Sequence, residues 1–395
     1  MTSALGIDIG TSGVRAVILD GTRTVTAFEA EPYRADGARD PGAWLAAVET
    51  CLSRLDLTGV EAVAIDGTSG TLVAVDARGN PLAEGSMYHD VATPSACDTV
   101  ARVLPTHAGA TSPFARALDL RDRHPPAHLL HQADFIAFRL FGALFTDENN
   151  ALKTGYDPVA RRWSEGVAAL GLDALLPPVH PVGTVAALCE GRRIVAGTTD
   201  GCAAFLAAGA EALGDGVTSL GSTIVLKMLV DRPISDAATG IYSHRIGDLW
   251  LAGGASNSGG AVLACHFSVP ELEALTPRLD PDRPTGLDYY PLIHPGERFP
   301  VRDPDLQPRL DPRPGDDATF LQAMLEAMSR IEAEGYRKLE ALSGRRLASL
   351  RTVGGGARNP VWSALRARAI AVPFAPALSD HACVGSALLA LKAVS

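Results

Sequence analysis

Residues 4–20 read ALGIDIGTSGVRAVILD. Two apolar, strand-like runs flank Gly10-Thr11-Ser12-Gly13, the composition of a tight hairpin turn. In the second half of the chain, residues 216–230 read GVTSLGSTIVLKMLV and repeat the theme: a strand, a turn of Gly, Ser and Thr, and a second strand. One loose internal similarity falls short of a repeat protein, but it predicts an α/β chain with two lobes of similar topology. Two such hairpins are also what a nucleotide clamp needs.

Between and beyond the hairpins the pattern alternates. Ala43–Leu55 has helical spacing, and Val60–Ile65 and Leu72–Val75 have strand composition around Asp66-Gly67-Thr68-Ser69-Gly70. His124–Gly142 reads as helix interrupted by Pro125-Pro126, and polar Thr146–Pro158 reads as loop with short turns. Ile194-Val195-Ala196 is a short buried strand running into Gly197-Thr198-Thr199-Asp200-Gly201, with a small-residue helix expected over Ala203–Ala210. Pro277–Asp317 reads as an irregular excursion, Ala318–Leu342 as an amphipathic helix, and Leu350–Gly356 as a strand entering Gly354-Gly355-Gly356-Ala357-Arg358-Asn359-Pro360. Helices are expected from Trp362 and over Cys383–Val394.

A chain of 395 residues exceeds a typical single core, and about 150 residues per domain favours two or three domains. Lys and Arg number 35 against 45 Asp and Glu, a formal charge of −10, which argues against nucleic-acid binding through phosphates. An anionic cosubstrate then needs local cationic help. The first residues, MTSALGIDIG, lack the basic and continuous apolar segments of a signal peptide, so a cytoplasmic protein without membrane partners is expected. Six scattered cysteines without a C-x-x-C pair signal neither zinc nor a disulfide framework, and reduced, buried thiols are expected.

Asp8 precedes the first turn by two residues, where a carboxylate can hold a magnesium ion while the N–H and hydroxyl groups of Thr11, Ser12 and Gly13 face phosphate oxygens. Taken alone, D-x-G-T-S-G is more often a structured turn capped by an Asp. Gly221, Ser222 and Thr223 form the second turn, equally weak by itself. No G-x-x-x-x-G-K-[ST] loop is present, which disfavours a phosphate-loop enzyme. Asp200 is the candidate base for phosphoryl transfer to an alcohol, with an N-cap for the following helix as the competing reading. His89, His124, His128 and His131 invite a metal or acid–base role, but the spacing after Pro126 looks like one helix face.

The order and spacing of LGIDIGTSGVRAVILD, AIDGTSGTLVAVDARGNPL, ADFIAFRLFG, TDENNALKTGYDP, AGTTDGCAAFLAAGA, TSLGST, GGASNSGG and TVGGGARNPVW resemble the FGGY carbohydrate kinases over essentially the whole chain. DGTSGT, TSLGSTIVLK and GLDYYPL look most like the D-ribulose kinases of cyanobacteria and plants within that family. The resemblance implies two ribonuclease-H-like (actin-like ATPase) lobes with a central cleft holding ATP and Mg2+. The first lobe is then 1–207 plus 381–395, with the sugar and the first phosphate motif, and the second is 208–380.

Carried over, Asp8 and Thr11 belong to the first phosphate motif, Asp200 to the catalytic base, and Gly221, Ser222 and Thr223 to the second phosphate motif. Gly355, Gly356 and Asn359 fall on the adenosine motif, and Asp8, Ser69 and Asp200 on the sugar site. Longer relatives carry a Trp, an Asp and an Arg where this chain has Met87-Tyr88-His89-Asp90-Val91-Ala92, so the Arg is missing. The implied reaction is ATP-dependent phosphorylation of a ketopentose, D-ribulose first, with D-xylulose or another ketose as the rival. A non-catalytic sugar or nucleotide sensor and an actin-like ATPase are rivals of other classes; the joint presence of Asp8, Thr11 and Asp200 argues against the first, DGTSGT and GERFP against the second.

Overall fold

A computed structural model describes residues 2–34, 37–236 and 238–394. The chain divides into two compact units: Met1–Ala207 with His244–Gly247 and His381–Ser395, and Ala208–Ser243 with Asp248–Asp380.

The first unit is built on a six-stranded sheet in the order Val185–Cys189, Arg192–Thr199, Val60–Gly67, Ser3–Ile9, Gly13–Asp20 and Val25–Pro32. The opening hairpin is antiparallel, with Asp8 opposite Arg15. Ser3–Ile9 runs parallel to Val60–Gly67 with Asp8 opposite Asp66, and Arg192–Thr199 runs parallel to the other side with Thr198 opposite Asp66. Parallel strands covered on both faces need nearly continuous apolar sequence. That is the composition of residues 4–9, 60–65 and 194–196.

One face packs Ile7, Ile9, Val63 and Ile65 against Trp44, Val48, Phe135 and Ile136 from the helices Pro41–Arg54 and Gln132–Phe141. The other packs Ala4, Ala62 and Ala64 against Leu389 and Ala390 of the helix Ala382–Lys392. This helix crosses so closely that a Cβ on Gly6 would lie 2.0 Å from the Cys383 carbonyl oxygen, and one on Gly385 would lie 1.9 Å from that of Ala203. The small residues here are a packing requirement.

Two expectations change. His128–His131 is a strand, paired antiparallel with Leu72–Val75, and the helix starts only at Gln132. His128 and His131 therefore do not share a helix face. Tertiary pairing overrides the helical spacing, and Asp134 accepts from His131 N (3.0 Å), closing the helix start there. Residues 146–158 are short turns as expected, yet Thr146, Asp147, Glu148, Asn149 and Asn150 are buried. Asp147 satisfies the segment internally, accepting from Asn149 N, Asn150 N and Asn150 Nδ2 at 2.6–3.0 Å.

In the second unit four neighbouring strands run Leu249–Ser256, Ile224–Val230, Asp215–Leu220 and Ser349–Val353. The hairpin register places Leu220 opposite Ile224, and Ser219 lies beside Val353 on a parallel neighbour. The helix Asp317–Ser343 starts where Asp316 accepts from Thr319 N and stops at Gly344, whose φ is 71°. Its Phe320, Leu321, Met324 and Met328 pack with Leu226 and Met228 of the sheet. Beneath the sheet Glu332 and Arg366 form a fully buried bidentate pair, with Nε–Oε2 2.5 Å and Nη2–Oε1 2.7 Å, and Thr218 Oγ1 donates to Glu332 Oε1. Leu279–Asp316 has no helix or extended strand among the described residues, as its Pro-rich composition predicts.

Of the cysteines, Cys51, Cys202 and Cys383 are buried, Cys97 and Cys189 half-buried and Cys265 exposed, so the expected burial fails at Cys265. No helix among the described residues is long and apolar enough to cross a membrane.

Candidate active site

In the first unit, parallel pairing brings three carboxylates to the C-terminal ends of adjacent strands: Asp8, Asp66 and Asp200, which follows Thr199 and starts the helix Asp200–Ala207. Asp66 is fully buried and accepts from Ser386 Oγ at 2.6 Å. Burial, followed by the charge of Asp8, pushes the Asp66 carboxyl well above the carboxylate range. Burial raises Asp8 as well, opposed by a hydrogen bond from Asp66 and by Arg15, whose Nη1 lies 3.4 Å from Asp8 Oδ2. Of the two, Asp66 is driven further from its charged form, and Asp8 keeps the partners that favour its charge. Asp66 ends an apolar run and precedes Gly-Thr-Ser, as Asp8 precedes Gly10-Thr11-Ser12; that likeness was the available signal for it.

Asp200 is half-buried, and its Oδ1 accepts from Gly201 N at 2.7 Å. The helix begins at Asp200 itself and not beyond it.

The first turn is tied down through its carbonyls. Gly10 N donates to Gly13 O (3.0 Å), Tyr33 N to Ser12 O (3.0 Å) and Tyr33 OH to Gly10 O (3.1 Å). Thr11 and Ser12 are exposed. Gly13 is required by the neighbouring strand, since a Cβ there would lie 2.5 Å from Glu31 O.

Ser69 sits half-buried in a turn that leaves the Asp66 strand. Gln132 Oε1 accepts from Thr68 N (2.9 Å) and Thr68 Oγ1 (2.7 Å), and Arg116 Nη2 donates to Gly70 O (2.6 Å). Arg116 Nη1 also holds Ser86 O and Oγ, linking this turn to the segment before Met87. Gln132 and Arg116 are buried supports that carried no motif signal in the sequence.

In the second unit, Gly221 and Ser222 are exposed and Thr223 half-buried, in a turn closed by Gly221 N to Thr223 O (3.2 Å). Gly355 is exposed, with only Arg358 Nη2 within 4 Å of a Cβ placed there, at 3.9 Å. At Gly356 a Cβ would lie 2.5 Å from the Trp362 ring and 2.8 Å from Leu220 Cβ, so packing alone demands glycine. Asn359 Oδ1 caps the helix Pro360–Ile370, accepting from Val361 N and Trp362 N at 3.0 Å each, and its Nδ2 donates to Thr276 Oγ1 (3.2 Å). Its side chain is occupied by the fold, which leaves Gly355 the accessible member of this group.

Residues 216–394 match the FGGY family of carbohydrate kinases, C-terminal domain. The xylulose kinase of Bacillus subtilis is 23% identical over 418 residues, covering 93% of this chain and 83% of that protein. The xylulose kinase of Escherichia coli is 24% identical over 410 residues, covering 91% and 83%. Among solved structures, a xyloylose kinase from Brucella ovis superposes with a TM-score of 0.87 at 21% identity, covering 99% of this chain and 90% of that one. The fold is the two-lobed actin-like ATPase fold of these kinases. With that fold, a C-terminal part that matches the FGGY carbohydrate kinases, and these relatives along nearly the whole sequence, the chain is similar to the FGGY carbohydrate kinases, ATP-using phosphotransferases whose acceptor is a sugar hydroxyl.

Proposed function

We propose that the chain transfers the γ-phosphoryl group of ATP to a ketopentose, converting D-ribulose to D-ribulose 5-phosphate. The observation that carries this reading is the row of Asp8, Asp66 and Asp200 on neighbouring strand ends, beside the Ser69 turn. Phosphoryl transfer to an alcohol asks the protein for positioning, charge stabilisation and one proton acceptor. Asp200 takes the hydroxyl proton as the sugar oxygen bonds to phosphorus and the bond to the ADP oxygen breaks. Arg15, 3.4 Å from Asp8 Oδ2, favours the charge of Asp8 against the effect of its burial. Thr11, Ser12 and Gly13 in the first unit, and Gly221, Ser222, Thr223 and Gly355 in the second, serve the nucleotide, while Gly356 and Asn359 shape the turn that carries Gly355.

Among the described residues no group of three or more His, Cys, Asp or Glu side chains forms a metal cage. Magnesium held mainly by nucleotide phosphates needs only one or two protein carboxylates, and Asp8 fits that role. Bound there, the ion would neutralise phosphate charge.

A short acceptor is supported by Asp90, in the segment where longer relatives pair an Asp with an Arg. Here Arg39 engages it through Nη1 (2.9 Å) and Nη2 (2.6 Å), and it also accepts from Met87 N (2.8 Å). The carboxylate is committed to the fold and is not a contact for a longer polyol. D-xylulose is the second reading, favoured by the xylulose kinase names of the relatives.

A coupled ADP-release assay with D-ribulose, D-xylulose, L-ribulose or no sugar tests this. Sugar-dependent release with the highest kcat/KM for D-ribulose is expected; a higher value for D-xylulose selects the second reading, and release indifferent to sugar sinks both.

A further inference from the structure

Glu297, in the GERFP segment, has been given no role above, yet it is 3% exposed and accepts four hydrogen bonds. Ser256 Oγ (2.6 Å) and Tyr290 OH (3.0 Å) donate to Oε2, while Asn257 N (2.7 Å) and Arg298 N (2.8 Å) donate to Oε1. A carboxylate bonded in this way is a strong, geometrically exact anchor. It grips the start of a second turn, Ser256-Asn257-Ser258-Gly259-Gly260-Ala261. Ser256 Oγ relays the grip by accepting from Ser258 N (3.0 Å), and Asn257 Nδ2 donates to Gly296 O (2.9 Å).

That second turn is the floor of the Gly221-Ser222-Thr223 turn. Gly260 N donates to Gly221 O (2.9 Å), Ala261 N to Ser222 O (3.0 Å), and Ile224 N to Ser258 O (2.8 Å). The approach leaves no room for side chains: a Cβ on Gly259 would lie 2.7 Å from Ser222 O, and one on Gly260 would lie 2.7 Å from Gly221 O. In a trans peptide the N–H points opposite to the C=O of the same unit. Pinning the carbonyls of Gly221 and Ser222 onto the floor therefore aims the N–H groups of Ser222 and Thr223 away from it. Successive outward N–H groups make an anion-binding concavity.

We infer that Glu297 is a positioning residue for the nucleotide phosphates: through the Ser256–Ala261 turn it fixes the peptide orientation that presents the Ser222 and Thr223 amides. The inference rests on the reading of Gly221–Thr223 as a phosphate turn, and its test separates the two. Calorimetry on the full chain with a non-hydrolysable ATP analogue, and separately with adenosine, reads the phosphate contribution.

Glu297→Ala is expected to weaken the analogue about 10-fold, the scale of one or two lost buried hydrogen bonds, and to leave adenosine within about 2-fold. Glu297→Gln, which can still accept from Asn257 N and Arg298 N, recovers most of the loss. Ser256→Ala, a milder change that keeps the protein folded if Glu297→Ala does not, gives the same split at about 3-fold. Equal weakening of both ligands means that Glu297 only holds the fold, and no weakening of either means that it holds nothing of consequence; each overturns the proposal. Ser222→Pro, which removes one of the two presented N–H groups, probes the turn itself. If it weakens the analogue and the Glu297 and Ser256 variants do not, the positioning role alone fails. If it leaves analogue binding intact, the phosphate reading falls and the proposal with it.

Discussion

Asp200→Asn keeps the shape of the side chain at the start of its helix and removes its basicity. Asn and Asp start helices comparably well, so folding is expected to survive. If the carboxylate takes the hydroxyl proton, kcat falls about 10²- to 10⁴-fold, the usual contribution of a general base. Nucleotide affinity is expected to change little, because Asp8 and the hairpin turns carry the phosphates in this reading. Turnover at saturating D-ribulose and ATP, with a melting curve, decides it: a folded variant with near-normal turnover removes Asp200 from the chemistry. Asp8 and Asp200 could be picked out in the sequence because each ends an apolar strand and meets small residues. Asp66 carries the same local signal. Its distinguishing feature, full burial against Asp8 and Ser386, joins residues far apart in the chain and has no local signature.

The polar segment after Phe145 carries a consequence for pH. Asp147 is fully buried on its short helical turn, and burial lifts its pKa to about 6 against hydrogen bonds from Asn150 and Asn149 that favour the charge. Asp134, also buried, stands near enough to interact with it by charge, and both line a cavity of about 10 Å³ beneath Ile65 and Ile194. A carboxyl whose folded pKa lies above its unfolded value near 3.8 is a source of instability once it ionises. The sign follows: below about pH 4 both states are protonated and the group costs nothing, stability falls as pH rises from about 4 to about 6, and the full cost remains above that. The shift corresponds to at most about 3 kcal/mol. Asp147→Asn, which retains the capping acceptor, is expected to gain stability over wild type at pH 7 and to lose that gain by pH 4. Denaturant unfolding at a series of pH values measures the difference; a gap independent of pH would mean that Asp147 is ionised throughout. Composition predicted a loop with short turns here, and polar loop residues are usually exposed. The structure buries them because Asp147 satisfies the backbone donors that water would otherwise take.

At the scale of the molecule, the first unit is assembled from both ends of the chain. The helix Ala382–Lys392 covers the sheet face that carries Ala4, Ala62 and Ala64, and its Ser386 bonds Asp66. Deleting residues 381–395 is therefore expected to abolish the thermal transition of the first unit while the sheet and long helix of the second persist. Limited proteolysis with mass spectrometry checks this: fragments from residues 1–207 are expected early, and equal protection of both units would contradict the prediction. By itself the sequence determined the hairpins, the long helix Asp317–Ser343, the candidate carboxylates and the family resemblance, because periodicity, turn composition and strand-end aspartates are local properties. Only the tertiary structure decided that His128–His131 pairs as a strand, that Gly356 is demanded by Trp362, that Asn359 is spent on a helix cap, that Asp66 lies buried beside Asp8, and that Glu297 holds the turn beneath Gly221–Thr223. Each of these depends on which distant group occupies the neighbouring space, a quantity fixed by packing and pairing across the fold and written in no single stretch of sequence.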